Sequence, residues 1–296
     1  MRSNQKYSLL GVPAVLFFCA FFFVPIGTLL ILAFNPTQVG SIKLVPELSL
    51  EHFKLFFSFP VYRQSLLNSL KLASSATLIS LLLGYPVAFI IARTRSSRVQ
   101  AFLVLLVFSS LQIDLTVRIF GYITILGDNG LINGTLIRLG ALSGPLPLMY
   151  NSFGVVVGLV NLSLPFMILP MIGIIQAVSL DFVNAARVLG TSRWGAFLKI
   201  ELPLSLPGII TGSLFAFAIS MSQYLIPVLL GGWGRAVLPT YIFQQITNQG
   251  RWQRGAAFAV VLLLANLIVV SLLFYYNSRI QLKRAGRSRT ARKAGG

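Results

Sequence analysis

Residues 152–178 read SFGVVVGLVNLSLPFMILPMIGIIQAV, and no Asp, Glu, Lys or Arg interrupts them. A helix rises 1.5 Å per residue, so about 20 apolar residues cross a hydrocarbon core of roughly 30 Å with every backbone group hydrogen-bonded internally. This run is long enough, and five others resemble it: Leu9 to Phe34, Leu66 to Ala92, Ala101 to Leu126, Leu206 to Leu230 and Ala256 to Tyr276. The third contains Asp114 and Arg118 but is read as a single span. The expected fold class is an all-α integral membrane protein with about six transmembrane helices.

Composition agrees. Of 296 residues 56% are hydrophobic and 10% charged, against about a quarter charged in a soluble domain. The first run follows Arg2 and Lys6 as a signal peptide would, yet it exceeds an h-region of about 7–15 residues and no small-x-small site closes it, so it reads as an uncleaved span. The chain divides into an N-terminal span with an exterior loop (1–65), a transmembrane helical domain (66–276) and a basic tail (277–296).

The formal charge of +18 reflects orientation rather than nucleic-acid binding. Fifteen of the 24 Lys and Arg residues fall on one side: Arg2 and Lys6, then Arg93, Arg95 and Arg98, then Arg187, Arg193 and Lys199, and the seven of the tail. Nine lie opposite over longer loops, so both termini are expected in the cytoplasm. The tail reads as a juxtamembrane segment drawn to anionic lipid, disordered beyond Arg284, and no nucleic-acid-binding module accompanies it.

Most chemistries lack their parts. The single histidine, His52, falls in an exterior loop, the single cysteine, Cys19, lies in an apolar run, and no P-loop, H-E-x-x-H or Gly-x-Ser-x-Gly sequence occurs. No catalytic residue, metal site or cofactor is expected, and any nucleotide energy must come from a partner. In the second span Ser69, Ala73, Ala76, Ser80 and Gly84 form a small-residue stripe for close helix packing.

After residue 178 the chain leaves the apolar run as SLDFVNAARVLGTSRWGAFLKIELPLS, residues 179–205. Asp181 is expected to cap a short helix through Val188, Gly190 to end it in the left-handed region, and Ser192 to cap a second through Lys199. Pro203 and Pro207 would open the next span.

This loop carries a resemblance. Ala185-Ala186, Gly190 three residues on, and Ile200-x-Leu202-Pro203 nine residues further resemble the E-A-A-x-x-x-G-x(9)-I-x-L-P loop of permease subunits of binding-protein-dependent ABC importers. Asn184 stands where that pattern has Glu, removing a charge available to a partner. A second stretch, Val117-Arg118-x-Phe120 through Leu126-Gly127-Asp128-Asn129-Gly130-Leu131-Ile132-Asn133, is similar to the segment after the third span in spermidine/putrescine-type permeases, chiefly the first of their two permease subunits. A Gly/Asn turn at the membrane surface accounts for the same residues. The resemblance runs from about Asn68 to Tyr275.

It implies a type I ABC importer permease fold, a second, like permease subunit, two ATPase subunits on the cytoplasmic loops and an extracytoplasmic solute-binding protein. Val188, Trp194 and Phe197 would fill a groove of the ATPase with Arg187 and Arg193 at its rim; interfacial anchoring is the other reading of the two aromatics. The solute implied is a polyamine, with opine, amino-acid or metal-chelate relatives open.

For the solute path, Ser213, Phe217, Ser220 and Tyr224 share a helical face in the fifth span, with Gln223 beside them and Asn161 in the fourth. They line a pathway or hydrogen-bond between helices. Asp114 is the only carboxylate read near a span, and it either pairs with Arg118 one turn on or meets a cationic solute. An ion-coupled carrier or channel is the alternative class, and it would need intramembrane carboxylates that the sequence hardly offers.

Overall fold

The computed structural model describes residues 3–36, 38–232 and 236–294, with side chains for residue 13 and for 15–275 within those ranges. Arg2, Arg235 and the side chains of Lys6 and of the basic tail, all used in the orientation count, lie outside the described residues. Among the described residues there is no strand. Thirteen α-helices follow one another: α1 (Ser3–Ala33), α2 (Glu51–Ser58), α3 (Pro60–Arg93), α4 (Ser97–Ser109), α5 (Leu115–Leu126), α6 (Leu131–Arg138), α7 (Ser152–Ala177), α8 (Leu180–Val188), α9 (Arg193–Ala196), α10 (Leu202–Ser222), α11 (Leu225–Gly231), α12 (Leu238–Phe243) and α13 (Trp252–Ala294).

Among the described residues five helical stretches are long and apolar enough to cross a membrane: Val15–Ala33, Pro60–Arg93, Ser152–Ala177, Arg193–Ser222 and Trp252–Tyr275. A sixth arises only if the pair Ser97–Gln112 and Leu115–Arg138, bent by 94°, counts as one span. The single third span expected from the sequence is therefore broken at Ile113–Asp114. Asp114 is not an ion-pair partner of Arg118 but the N-cap of α5, its carboxylate accepting from the backbone N–H of Thr116 (2.8 Å) and of Val117 (3.3 Å). Arg118 turns back to the carbonyls of Ser110 and Ile113.

Contacts divide the chain into two compact units, Met1–Leu66 with Leu238–Leu264, and Leu67–Val237 with Ala265–Gly296. In the first, Ala33 packs with Ala256, Ala257 and Val260, and Phe56 with Leu238, Phe258 and Val261. His52 belongs to a helix rather than a loop and is fully buried, its Nε2 donating to the Asn35 carbonyl at 3.0 Å. Burial holds its pKa below the usual histidine value, with the Asn35 bond opposing that shift.

The second unit is built on α7, which lies against α10 and α11. Close approach depends on glycine: a Cβ on Gly212 would sit 2.7 Å from the Met167 carbonyl oxygen, and one on Gly158 would meet Ile226 and Leu230 at 2.8 and 2.9 Å. Gly212→Leu should therefore cost about 1–3 kcal/mol through overpacking, read as a lower midpoint of thermal unfolding in detergent. The stripe on α3 packs as its composition suggests, with Ser69, Ala73, Ala76 and Ser80 buried, Ser80 Oγ 2.7 Å from Ser163 Oγ, and Gly84 against Met167 and Ile168.

The Gly127–Gly130 turn between α5 and α6 is fixed by Asn133, which is completely buried. Its amide donates to the carbonyls of Gly127 (3.1 Å) and Leu146 (3.0 Å) and accepts from the Leu146 N–H (2.9 Å). A Cβ on Gly130 would lie 2.8 Å from the backbone N and O of Gly127 and from the Ile125 carbonyl oxygen of α5.

Two further boundaries differ from the sequence expectation. The fifth run is broken: α10 ends at Ser222, Gln223 is extended (ψ 130°), and α11 begins at Leu225. Pro227 explains the placement, because in the first turn of a new helix its missing N–H costs nothing. At the C-terminus α13 continues to Ala294, where disorder was expected beyond Arg284; the tail contains no proline, and its Ala, Lys and Arg residues favour helix.

Candidate functional site

The segment between α7 and α10 is a compact two-helix unit whose shape follows from local chemistry. The N-cap of α8 is Ser179 and not Asp181: Ser179 Oγ accepts from the Asp181 N–H (3.1 Å) and donates to Asp181 Oδ2 (2.9 Å). A hydroxyl before the helix reaches the free N–H groups, while a carboxylate inside the first turn acts on the helix dipole.

The end of α8 is fixed by two bonds, Gly190 N–H to the Arg187 carbonyl and Thr191 N–H to the Ala186 carbonyl, both 3.0 Å. This is a Schellman closure and needs a left-handed residue, supplied by Gly190 at φ +85°. Ser192 caps α9 by accepting from the Gly195 N–H at 3.1 Å. The second helix does not stop at Lys199. It passes through a π-helical turn, Phe197–Glu201, straight into α10. A proline ring clashes with the carbonyl four residues back in a regular helix, and the wider turn, with Leu202 N–H bonded to the Phe197 carbonyl, admits Pro203 without a break.

The unit presents an apolar tip. Val188 is 87% exposed, Leu189 86% and Trp194 73%. Asp181, Asn184, Ala185, Arg187, Gly190 and Arg193 are also exposed, with Ala186 half-buried beneath them. Asn184, Arg187, Val188, Gly190 and Arg193 line one shallow cavity of about 490 Å³.

Phe197 departs from the sequence grouping. It turns inward, edge-on to Phe89 (5.4 Å between centroids) and Tyr85 (6.0 Å) of α3, while Trp194 rests on it at 5.6 Å. Ile200, Leu202 and Pro203 are half-buried behind it.

Sequence reasoning missed the residue that anchors this unit. Glu201 is buried and forms an ion pair of 2.9 Å with Arg93, the last residue of α3. Arg93 also donates to the carbonyl of Val178, the C-cap of α7, at 3.1 Å, and lies 6.0 Å from the centre of the Phe89 ring. Tyr85 Oη meets Ser205 Oγ at 3.0 Å. The ends of α3 and α7 and the start of α10 are thus bolted together at the base of the two-helix unit. Asp114 is accordingly not the only carboxylate near a span. The available signal was Glu201 itself, one of only six acidic residues, placed among basic ones.

Candidate pathway residues fall in three settings. Phe217 and Ser220 are buried in α10, Asn161 and Ser213 are half-buried, and Ser213 Oγ is 4.0 Å from Met167 Sδ. Gln223 and Tyr224 occupy the break after α10 and so share no continuous helical face with the others, while Asp114 is exposed at the other break.

A chain of membrane-length helices, some broken within a span, with a rigid two-helix unit projecting between two of them, defines a multi-pass permease component. Over residues 1–282 the sequence matches the family described as binding-protein-dependent transport system inner membrane component, and the chain belongs to that family. It is 34% identical over 284 residues to the spermidine/putrescine transport system permease protein PotB of Haemophilus influenzae, covering 95% of this chain and 97% of that one. With the PotB protein of Escherichia coli K12 it shares 32% identity over 225 residues, 76% of this chain and 81% of that one. Its fold is similar to a solved bacterial alginate ABC transporter in complex with an alginate pentasaccharide-bound periplasmic protein, with a TM-score of 0.72 at 18% identity, covering 94% of this chain and 96% of that one. The protein is a permease of a binding-protein-dependent ABC importer in the inner membrane, and the expected class and fold hold.

Proposed function

We propose that this chain moves a polyamine, or a related small cation, across the inner membrane with energy from ATP hydrolysed by two partner ATPase subunits seated on the α8–α9 unit. The observation that carries this reading is the apolar tip of Val188, Leu189 and Trp194 on a unit rigidly tied to three membrane helices. The solute class rests on the PotB relatives, which are named for spermidine/putrescine transport. A second permease subunit completes the pathway, and a solute-binding protein delivers the cargo, in line with the periplasmic partner of the alginate system. In this reading both termini and the α8–α9 unit face the cytoplasm, which the basic-residue asymmetry supports.

In this mechanism closure of the ATPases displaces the α8–α9 unit, and the Arg93–Glu201 pair passes the displacement to α3 and α7 as a rigid-body movement. The two helix breaks, at Asp114 and at Gln223–Tyr224, are the places where backbone and polar side chains meet the solute. Asp114 supplies a carboxylate suited to a cation, with Asn161, Ser213, Phe217 and Ser220 in supporting positions. Neutral Asn184 leaves the ATPase contact to apolar groups and the two arginines. Purification from the native membrane should bring an ATPase and a second six-span subunit with the chain, and reconstituted vesicles should take up spermidine only with ATP and the binding protein. A chain that purifies alone and drives uptake from an ion gradient would contradict the reading.

A further inference from the structure

We propose that the cavity between α3 and the α8–α9 unit binds an anionic phospholipid, with the phosphate between Arg187 and Arg193 and an acyl chain against Phe89, Ile90 and Val183. The cavity has a volume of about 510 Å³, in the range of sites that bury small organic ligands. One wall is the final turns of α3, Tyr85 to Ile90, just before the span ends at Arg93. That is the depth at which a membrane helix passes from acyl chains to headgroups. Ile90 is 62% exposed, so the cavity opens along an uncovered apolar face of a span.

Charge selects the headgroup. Three charged residues line the cavity. Glu201 is already neutralised by Arg93 at 2.9 Å, and among the described residues neither Arg187 nor Arg193 takes part in an ion pair. Two uncompensated guanidiniums remain over an apolar floor, and each presents a fork of donors suited to phosphate oxygens. A zwitterionic lipid would bring its own cation beside them, and an anionic one would not. Of the groups proposed for the ATPase, Val188 and Leu189 lie outside this lining while Trp194, Arg187 and Arg193 belong to it, so the lipid is expected to fill the cavity when the ATPase is absent, as it is in the assay below.

Trp194 lines the cavity and reports on its contents. The test uses the full chain in phosphatidylcholine vesicles with Trp233→Phe and Trp252→Phe, leaving Trp194 as the last of three tryptophans. Phosphatidylglycerol with brominated chains is expected to quench Trp194 at about tenfold lower mole fraction than brominated phosphatidylcholine, because each basic group at a membrane surface adds to anionic lipid attraction. The double change Arg187→Gln and Arg193→Gln should abolish that difference, and Arg187→Lys with Arg193→Lys should keep most of it. Equal quenching by the two lipids, no quenching by either, or a difference that survives the Gln variant overturns the proposal.

Discussion

Changing Val188 and Leu189 together to aspartate is expected to leave the chain folded and inserted, and to abolish ATPase capture and transport. Both side chains stand almost fully in solvent, 87% and 86% exposed, so their loss removes no internal packing. The cost to the chain is limited to acidic groups at the C-terminal end of α8, about 0.3–1 kcal/mol. The cost to docking is larger, since burying an aliphatic side chain in a partner's groove contributes about 1.5–3 kcal/mol. Two such side chains amount to about 3–6 kcal/mol, a weakening of at least about 100-fold. Pull-down of the ATPase by detergent-solubilised variant, beside its thermal unfolding curve, separates the effects. Unchanged capture with both charges present would remove the tip from the interface.

Glu201→Ala should be the most destabilising single change in the site. It leaves Arg93 nearly buried, at 16% side-chain exposure, with its carboxylate partner gone. Removing one member of a buried pair costs about 3–5 kcal/mol, mostly because the other charge is stranded. Replacing both, as Arg93→Met with Glu201→Leu, removes the stranded charge and should recover most of that stability. The two measurements discriminate roles: the double variant should regain its unfolding midpoint yet transport poorly, because the Val178 carbonyl and the start of α10 are no longer tied to α3. If the double variant transported normally, the pair would be a folding device with no part in transmission.

The features legible in the sequence were those that depend on local composition. The charge-free run 152–178 placed α7 to within one residue, and the Ala186–Gly190 spacing announced a helix closure because only a left-handed residue completes it. The breaks were harder, since two local explanations competed. Asp114 before Leu-Thr-Val is equally an N-cap and the first half of an i,i+4 pair with Arg118, and only the backbone geometry decides between them. Pro227 marked the start of α11, but an apolar run from Leu206 to Leu230 hid it.

The anchoring of the site was not legible, because its partners are distant in sequence. Nothing near Glu201 announces Arg93, and nothing in the order Trp194, Gly195, Ala196, Phe197 states which ring faces α3. Which aromatic points outward is decided by the register of α9 and the π-helical turn, and that turn arises from a proline several residues further on.

The central claim, that the α8–α9 unit is a cytoplasmic handle gripped by an ATPase, is most directly tested by thiol labelling. With Cys19→Ser removing the only native cysteine, Leu189→Cys offers one exposed thiol at the tip. A membrane-impermeant maleimide should label it in inverted inner-membrane vesicles stripped of ATPase, spare it in intact cells with a permeabilised outer membrane, and lose access when the ATPase is restored. Labelling from the periplasmic side, or labelling indifferent to the ATPase, would contradict the account.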